Sequence, residues 1–428
     1  MSADANTGGA TTGGHVTALS YVEARAAILA AAVPLSVEHV ALDHAMGRAL
    51  ASSITSPVAL PPWDNAGMDG YAVRRADVAN ASPSMPVTLR VTGTISAGAD
   101  PSTLPVVDAG CAVRIMTGAP VPSGADGVIR VEDTDGGLAA VTVRDTRDIA
   151  GRGNIRPRGE DVPRGGSLFA AGVTIGPSQL GMLASVGCAT VPVFRRPRVA
   201  QVSGGDELVL LEHFDEVLAG RRIVSSSSYA LPALLRAAGA DVVLSPLVPD
   251  TLEDTMAAIE SAIANGCDLL VTTGGVSVGA HDYTREALVQ LGGTVDFWRA
   301  RIRPGGPIGT GHIRGVSWLG LPGNPVSSMV TATLFAWPMI RRMGGHTNTS
   351  HRVLTVTMRD RYETPAPLTY FVRVMLERRT DGGYDAHLAG PQGSNLLHSM
   401  AIADALLVVP EACAATTPGA TFDAVLLP

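Results

Sequence analysis

The sequence predicts a multidomain α/β protein built around a doubly wound, mostly parallel sheet. Between residues 198 and 346, short apolar strand patterns alternate with helix patterns, and glycine-containing turns follow the strands. Residues 60–162 and 347–428 instead carry short strand patterns separated by Gly, Pro and Asp, which is typical of small β domains. The chain has 428 residues, 46% of them hydrophobic and 4% aromatic, which is enough for about three domains of ordinary size.

The N-terminal part of the chain is predicted to contain a tail and a helix. Residues 1–16 are rich in Gly, Thr and Ala, and we expect a disordered tail there. A helix is expected to begin at Ser20, because Ser20 and Glu23 have the spacing of a capping box and apolar residues follow at helical spacing. Residues 60–162 have the texture of a β-rich insert, and the segments on either side of it, 17–59 and 163–197, differ from it in composition.

Strand and helix patterns of the remaining chain follow in order. In the insert, strands are expected at 87–95, 112–116, 127–131 and 139–143. In the α/β domain at 198–346, strands are expected at 199–202, 241–248, 268–272 and near Trp318. Helices are expected at 229–238, from after Thr251 through Ile263, from near Asp282, and after Pro325. The terminal β domain has strand patterns at 353–358, 370–377, 405–409 and 422–427. Open α/β sheets bind ligands at the carboxyl ends of their strands, so that edge is the expected site.

The basic residues of this chain are all arginine: there are 32 of them and no lysine. This excludes Schiff-base and pyridoxal phosphate chemistry, which require a lysine amine. It also excludes the phosphate loop that ends in Gly-Lys-Ser/Thr. The net charge of −7 and the absence of a long basic run argue against binding to nucleic acid or to a membrane surface.

Cysteine spacing and hydropathy predict the compartment. The four cysteines lie far apart in the sequence, so we expect reduced thiols rather than a zinc site or a disulfide framework. The N-terminus lacks the pattern of a secretory signal, and the most apolar stretch, 326–340, is too short to span a bilayer. We therefore expect a cytoplasmic protein.

Three glycine-containing loops follow predicted strands of the α/β domain: 203–207, 272–279 and 321–328. Glycine allows backbone N–H groups to approach a phosphate, and a helix N-terminus adds partial positive charge. Each loop alone is equally typical of a tight strand-to-helix turn. Three of them at one sheet edge favour a phosphate-bearing ligand.

The insert contains acidic residues beside turn residues: Asp64 and Asp69 in one loop, Glu160 and Asp161 in another. Such residues most often only form turns. The functional alternative is a hard-cation site, since carboxylate oxygens suit Mg²⁺ that also binds a substrate phosphate. The residues alone leave both interpretations open.

Five ordered motifs resemble one known family. They are Asp64-Asn65 with Met68-Asp69-Gly70-Tyr71-Ala72; Arg114-Ile115-Met116-Thr117-Gly118-Ala119-Pro120; Asn154-Ile155-Arg156 with Arg158-Gly159-Glu160-Asp161; Thr273-Gly274-Gly275-Val276-Ser277 with Asp282-Tyr283; and Leu321-Pro322-Gly323-Asn324-Pro325-Val326-Ser327. On these motifs the chain resembles the molybdopterin molybdenumtransferases of the MoeA and gephyrin type. The resemblance covers nearly the whole chain after the tail.

The resemblance implies a fold, an activity and partners. It implies a helical N-terminal linking domain interrupted by the β-rich insert, a molybdopterin-binding α/β domain and a small C-terminal β-barrel, assembled as a homodimer. Members of the family insert molybdate into adenylated molybdopterin and release AMP, and a Mg²⁺ cofactor is implied.

The family's functional residues are carried over by matching motif. Asp69, Thr117, Asp161, Glu207, Asp250 and Asp282 would be catalytic, with Asp250 and Asp282 as metal ligands. The ligand-binding residues would be Gly274, Gly275, Ser277, Pro322, Gly323, Asn324, Pro325, Arg303, Arg373 and Ser399.

Two segments depart from the family pattern. Where the family usually has Lys-Pro-Gly-Lys-Pro, this chain has Arg303-Pro304-Gly305-Gly306-Pro307, so Gly306 removes one cation that helps to hold the oxyanion. The family's Asp-Ser/Thr-Asn segment is Ser225-Ser226-Ser227-Ser228 here. Either the chain is a diverged paralogue, or Arg299, Arg301 or Arg303 compensates; compensation is the favoured interpretation.

Two other functions remain as alternatives to molybdate insertion. A molybdopterin adenylyltransferase would share the α/β domain, but it works as a free-standing domain, and the insert argues against it. A binding or scaffold protein with weakened metal insertion is the second alternative. It is disfavoured because the chain lacks the extra domain and long linker of gephyrin.

Overall fold

The computed structural model describes residues 18–275, 283–365 and 367–428. The chain divides into two compact units. The first unit contains the described parts of Met1–Ala51, Gly172–Leu180 and Thr190–Pro428; the second contains Ser52–Ala171 and Gly181–Ala189. Within the described residues, no helix is both long and apolar enough to cross a membrane. The four cysteines are free thiols.

The first unit begins with α1 (Tyr21–Ala31) and β1 (Val37–Ala41). The predicted capping box is present: Ser20 Oγ accepts the Glu23 N–H at 3.2 Å, and the Glu23 carboxylate accepts the Ser20 N–H at 2.8 Å. These bonds satisfy two N–H groups that the first turn of a helix leaves without partners.

The second unit consists mainly of short strands. Its elements are β2 (Ile54–Thr55), β3 (Asn65–Ala66), β4 (Gly70–Val73), α2 (Arg75–Val78), β5 (Val87–Ile95), β6 (Cys111–Ile115), β7 (Gly127–Arg130), β8 (Ala140–Val143), β9 (Ile155–Arg156) and β10 (Ser167–Phe169). A five-stranded sheet has the order β7-β4-β6-β5-β8. Side chains alternate across it: Tyr71 and Val73 enter one apolar core and Ala72 enters another. Helix α3 (Pro177–Ser185) follows in the chain; its residues up to Leu180 belong to the first unit and the rest to the second.

The α/β part of the first unit follows β11 (Thr190–Phe194), which pairs with β1. Its elements are β12 (Arg198–Gly204), β13 (Leu208–Val209), α4 (Phe214–Leu218), β14 (Ile223–Val224), α5 (Ser227–Ala237), β15 (Asp241–Leu244), β16 (Leu247–Val248), α6 (Leu252–Ala264), β17 (Leu269–Thr273), α7 (Tyr283–Gln290), β18 (Thr294–Arg299), β19 (Ile302–Arg303), β20 (Pro307–Ile313), β21 (Val316–Leu321), α8 (Pro325–Thr331) and α9 (Trp337–Met343).

The large sheet of this part is mixed but mostly parallel. Its order is β15-β12-β17-β21-β20-β18, with β16 also pairing β12. Strands β15, β12, β17 and β21 are parallel, and β20 and β18 extend the sheet in antiparallel fashion. Helices cover both faces, since Val199 belongs to the core that contains α5 and α8, whereas Ala200 belongs to the core that contains α6 and α7. The predicted doubly wound α/β class is confirmed.

A closed β-barrel follows the α/β part. Its elements are β22 (Val353–Met358), β23 (Tyr362–Glu363), β24 (Thr369–Arg378), β25 (Tyr384–Leu388), α10 (Leu397–Ala401), β26 (Ala405–Val409), β27 (Ala415–Thr416) and β28 (Thr421–Leu426). Pairing runs β24-β25-β22-β28-β26 and returns to β24, so the ring has no open edge. Strand β19 joins the barrel sheet through parallel pairing with the start of β24. The small barrel implied by the resemblance is confirmed.

Candidate active site

A cavity of about 740 Å³ lies in the first unit at the carboxyl ends of strands β12, β16, β17 and β21. This is the edge that a parallel sheet offers to a ligand. The lining residues come from four groups of loops: Gly204, Gly205, Glu207 and Asp250; Ser225, Ser226 and Ser227; Gly274, Gly275, Pro322, Gly323, Asn324 and Pro325; and Arg303, Gly306, Gln392, Gly393 and Ser394.

The glycines of three loops pack against one another. A Cβ atom on Gly274 would lie 3.1 Å from the Gly204 oxygen, and one on Gly323 would lie 3.4 Å from Gly274 Cα. Gly274 and Gly275 also have φ angles of 80° and 67°. Side chains there would be strained and would separate the loops. The glycines therefore bring three strand ends together beneath a common opening.

A buried polar network supports these strand ends from below. Ser203 Oγ lies 3.0 Å from Thr273 Oγ1, and Gln201 Nε2 donates to Ser203 Oγ at 2.7 Å. The Trp318 indole N–H donates to Thr272 Oγ1 at 3.1 Å. Because every one of these buried groups has a partner, the network fixes the strands that deliver the loops.

Two carboxylates, Glu207 and Asp250, line the cavity. Two reciprocal hydrogen bonds connect the loops of Asp206 and Asp250. The Asp206 N–H donates to Asp250 Oδ2 at 3.3 Å, and the Asp250 N–H donates to Asp206 Oδ1 at 3.1 Å. In the described parts of the chain, no group of three or more His, Cys, Asp or Glu side chains is arranged to hold a metal. Mg²⁺ commonly uses one or two carboxylates and completes its shell with water and phosphate oxygens, so Asp250 and Glu207 fit that ion.

One wall of the cavity is lined with hydroxyl groups. Ser225, Ser226 and Ser227 lie at the N-terminus of α5, and Ser225 Oγ contacts Ser228 Oγ at 2.7 Å. Asn324 and Pro325 begin α8 beside them, and Ser227 Oγ lies 3.3 Å from Ser328 Oγ. Two helix N-termini and a neutral hydroxyl wall favour an anionic ligand.

Of the arginines considered for compensation, Arg303 lines the cavity, and its guanidinium carbon lies 5.8 Å from the centre of the Tyr370 ring. Arg299 and Arg301 do not line it. The Arg301 guanidinium instead donates to Glu411 at 3.3 Å and to the Ala18 oxygen at 2.6 Å. Of the three arginines, Arg303 is therefore the one that the structure places at the cavity.

Arg373 and Ser399 lie behind the cavity wall rather than on it. Arg373 is fully buried; its Nε donates to Ser399 Oγ at 2.9 Å, and its Nη2 donates to the oxygens of Pro391 and Gly393 at 3.0 and 3.1 Å. Its Nη1 has no partner. Burial lowers the pKa of this guanidinium, but a side chain with so high an ordinary pKa remains charged. The positive charge of this buried guanidinium therefore acts on the cavity through the wall in front of it.

In the second unit the structure brings Asp69 and Thr117 together. Asp69 Oδ1 accepts the Thr117 N–H at 2.6 Å and the Thr117 hydroxyl at 2.7 Å, and these two bonds lower the pKa of the Asp69 carboxyl. Both residues are exposed, as is Asp161, whose N–H donates to the Leu60 oxygen at 3.0 Å. Asp69 therefore presents an ionised carboxylate.

The other two acids of the insert have structural partners. Asp64 Oδ1 accepts the Arg158 N–H at 2.7 Å, and Glu160 pairs with Arg152. The turn interpretation suits these two acids. Ser277 and Asp282, which the sequence also singled out, lie outside the described residues.

Comparisons with known proteins decide the family. Residues 19–187 match the model of the MoeA N-terminal region (domain I and II), residues 200–342 match that of a probable molybdopterin binding domain, and residues 355–427 match that of the MoeA C-terminal region (domain IV). The chain belongs to the MoeA family. The resemblance predicted from the five motifs is thereby confirmed.

Relatives and solved structures agree with membership of the MoeA family. Molybdopterin molybdenumtransferase 2 of Mycobacterium tuberculosis is 38% identical over 87% of this chain and 90% of its own length. The molybdopterin molybdenumtransferase of Bacillus subtilis is 33% identical over 91% of this chain and 90% of its own length. The crystal structure of the molybdopterin biosynthesis moeA protein from Pyrococcus horikoshii OT3 is 27% identical, with a TM-score of 0.82, covering 96% of this chain and 100% of that one.

Sequence reasoning missed one wall of this MoeA-family cavity. Gln392, Gly393 and Ser394 line it, although they belong to the barrel and lie far along the chain from the glycine loops. The only local signal is the turn-like composition Gly390-Pro391-Gln392-Gly393-Ser394 between two elements. The serine run was recognised as a departure from the family pattern but was not named as part of the site.

Proposed function

We propose that this chain is a molybdopterin molybdenumtransferase, which inserts molybdate into adenylated molybdopterin and releases AMP. The observation that carries the proposal is the 740 Å³ cavity in a MoeA-family chain, framed by glycine loops and two helix N-termini. Its curated relatives carry that enzyme name. A homodimer with Mg²⁺ as cofactor, acting in the cytoplasm, completes the proposal.

The residues of the cavity have distinct roles in this reaction. Backbone N–H groups at Gly274, Gly275 and the 322–325 turn bind phosphate and pterin oxygens, because the glycines leave them accessible. Asp250 and Glu207 would hold Mg²⁺, which supplies charge stabilisation at the phosphoanhydride. Asp282 is proposed as a second metal ligand, and Ser277 as a further ligand-binding residue.

The reaction breaks one P–O bond of the phosphoanhydride. An oxygen nucleophile, from water or from molybdate, attacks phosphorus, and the other phosphate leaves with the bridging oxygen. Carboxylates beside the anhydride orient that nucleophile and accept its proton. Arg303, and Arg373 with Ser399 behind it, would bind the molybdate oxyanion, for which a planar guanidinium is well suited.

Asp69, Thr117 and Asp161 of the second unit are proposed as additional catalytic residues. The support for Asp69 is its ionised, exposed carboxylate fixed by Thr117. We also propose the domain boundaries at 17–59 with 163–197, 60–162, 198–346 and 347–428, after a tail at 1–16.

The test is an assay of the purified protein with adenylated molybdopterin, molybdate and Mg²⁺. AMP release and reconstitution of a molybdoenzyme apoprotein are followed together. We expect activity in the wild type and a loss of about 100-fold or more in Asp250→Asn, because that change removes a charged oxygen ligand. Glu253→Gln, on the exposed first turn of α6 and outside the cavity lining, should behave as the wild type.

Other outcomes would contradict the proposal. Consumption of ATP with release of pyrophosphate would identify an adenylyltransferase instead. Tight binding of adenylated molybdopterin without AMP release at any molybdate concentration would identify a binding protein. Full activity of Asp250→Asn would remove that carboxylate from the mechanism.

A further inference from the structure

The loop at residues 390–394 connects β25 to α10 and forms the barrel side of the cavity through Gln392, Gly393 and Ser394. Two of its carbonyl oxygens, those of Pro391 and Gly393, accept both bonds of Arg373 Nη2. The loop therefore lies directly over a buried cation. It thereby separates that guanidinium from the cavity.

The side chain of Gln392 holds this loop against β24 through three hydrogen bonds. Its Oε1 accepts the Arg373 N–H at 2.8 Å, and its Nε2 donates to the Arg373 oxygen at 3.0 Å and to the Gly390 oxygen at 2.9 Å. The last residue pair of β24 and β25 is Val374 with Leu388, and the Ala389 N–H still donates to the Arg373 oxygen at 3.0 Å. The amide of Gln392 adds a second donor to that oxygen and supplies the acceptor for the Arg373 N–H.

The same loop also contacts the α/β part of the first unit. The Ser394 oxygen accepts the Val326 N–H at 3.1 Å, and Ser394 Oγ accepts from Asn324 Nδ2 at 3.2 Å. Those contacts reach the turn that begins α8, one of the helix N-termini at the cavity. One short loop therefore connects the buried arginine with the turn proposed to bind phosphate.

We propose that Gln392 is a positioning residue for the oxyanion. By fixing the Pro391 and Gly393 carbonyls over Arg373 Nη2, it holds the buried guanidinium charge directly behind the barrel wall of the cavity, and through Ser394 it holds that wall against the turn that begins α8. This inference rests on the proposed function. Gln392 itself bonds to backbone groups and acts through Arg373.

To hold the loop, Gln392 needs the hydrogen-bonding groups of its side-chain amide as well as its size. A glutamate of equal size keeps the acceptor for the Arg373 N–H but loses both donors, and its charge would face the oxygens of Arg373 and Gly390. A methionine keeps the volume and removes all three bonds. Both variants should loosen the loop while the barrel core stays filled.

The experiment compares Gln392→Met and Gln392→Glu with the wild type. We expect the molybdate concentration for half-maximal AMP release to rise about 10-fold in both variants, with a smaller change in the rate at saturating molybdate. The stabilisation of the protein against heat by molybdate alone should shift to higher concentration in parallel. Gln179→Met is the matched control, because Gln179 accepts the backbone N–H of Gly176, makes no other side-chain hydrogen bond to a described residue, and lies outside the cavity lining.

The outcomes separate this inference from the proposed function. An unchanged molybdate requirement in Gln392→Met and Gln392→Glu, in an active wild type, would overturn the role of Gln392 alone. A wild type with neither AMP release nor stabilisation by molybdate would overturn the proposed function. A fall in the saturated rate without a change in molybdate requirement would also contradict positioning of the oxyanion. If one variant does not fold, the other decides.

Discussion

At the scale of single residues, the charge of the cavity depends on very few side chains. Arg303 and the buried Arg373 supply positive charge, whereas Glu207 and Asp250 supply negative charge. The absence of a side chain at Gly306 therefore matters more here than in a site with many cations. Coulomb interactions across a cavity of this size are strong enough for one charge to alter oxyanion affinity.

Gly306→Lys should lower the molybdate requirement of the enzyme. A Cβ atom at this position would lie 3.4 Å from the oxygens of Ala300 and Ile302, which is ordinary van der Waals contact, so the backbone accepts a side chain. We expect a decrease of about 5- to 10-fold in the molybdate concentration for half-maximal AMP release. Gly306→Met tests the effect of size without charge, and an equal decrease in both variants would show that the charge is not responsible.

At the scale of elements, the C-terminal end of α9 is fixed by a buried histidine. His346 follows the helix and is 8% exposed, and its Nδ1 lies 2.7 Å from Thr174 Oγ1. Arg341 Nη2 donates to that same hydroxyl at 2.9 Å, which leaves the Thr174 O–H to donate to the imidazole. Burial first, and then the charges of Arg341, Arg196 and Arg48, lower the pKa of His346 to about 3.

This histidine should make stability depend on pH. Below pH 6.5 the His346 imidazole binds a proton in the unfolded chain, whereas in the folded protein it stays neutral down to about pH 3. The free energy of unfolding therefore falls as pH falls from about 6.5 toward 3. The contribution is about 1.4 kcal/mol per pH unit. In His346→Asn we expect a flatter profile between pH 6.5 and 4.5, measured by urea unfolding. His44→Asn, at an exposed position, should keep the wild-type slope; equal slopes in all three proteins would exclude the effect.

The sequence was most informative where a pattern is local. The predicted strands 87–95, 353–358 and 405–409 have the bounds that the structure shows, because alternating or buried apolar runs between turn residues define them. The start of α5 was placed at Tyr229, whereas the helix begins at Ser227. Serine is common both in turns and at helix N-caps, so the run of four serines does not by itself define the first residue of the helix.

The site was predictable to the extent that it consists of glycine loops after strands. Gly274, Gly275 and the 322–325 turn were named from spacing and resemblance, and all of them line the cavity. The barrel wall was not predictable, because no local pattern reveals that Gln392 would meet Arg373 or that Ser394 would meet Asn324. Arg373 and Ser399 were named, but their complete burial behind a loop follows from packing alone.

At the scale of the whole molecule, the α/β part and the barrel share one apolar core. Phe371 of barrel strand β24 lies in the same core as Ile28 of α1 and Phe335, which follows α8. The Tyr21 ring contacts Phe371 and Phe335 edge-on, with ring centres 5.0 and 5.8 Å away. The two parts of the first unit should therefore unfold together.

Phe371→Ala tests this coupling. Removing a buried aromatic ring should lower the free energy of unfolding by about 3–5 kcal/mol. Because the core is shared, we expect the loss of barrel structure and the exposure of Trp318 in the α/β sheet to shift to the same lower temperature. The control is Met375→Ala on the same strand, where the side chain is 39% exposed and the change should be within about 0.5 kcal/mol. Separate transitions in Phe371→Ala would contradict a shared core.

The residues that line the cavity come from distant parts of the chain, so the complete lining becomes available only late in synthesis. Its first wall includes Gly204 and its last includes Ser394, which is 190 residues farther along the chain. At translation rates of about 5–20 residues per second, roughly 10–40 s pass between their emergence from the ribosome. During that time a nascent chain presents the glycine loops without the barrel wall, so the complete lining can form only after Ser394 has emerged.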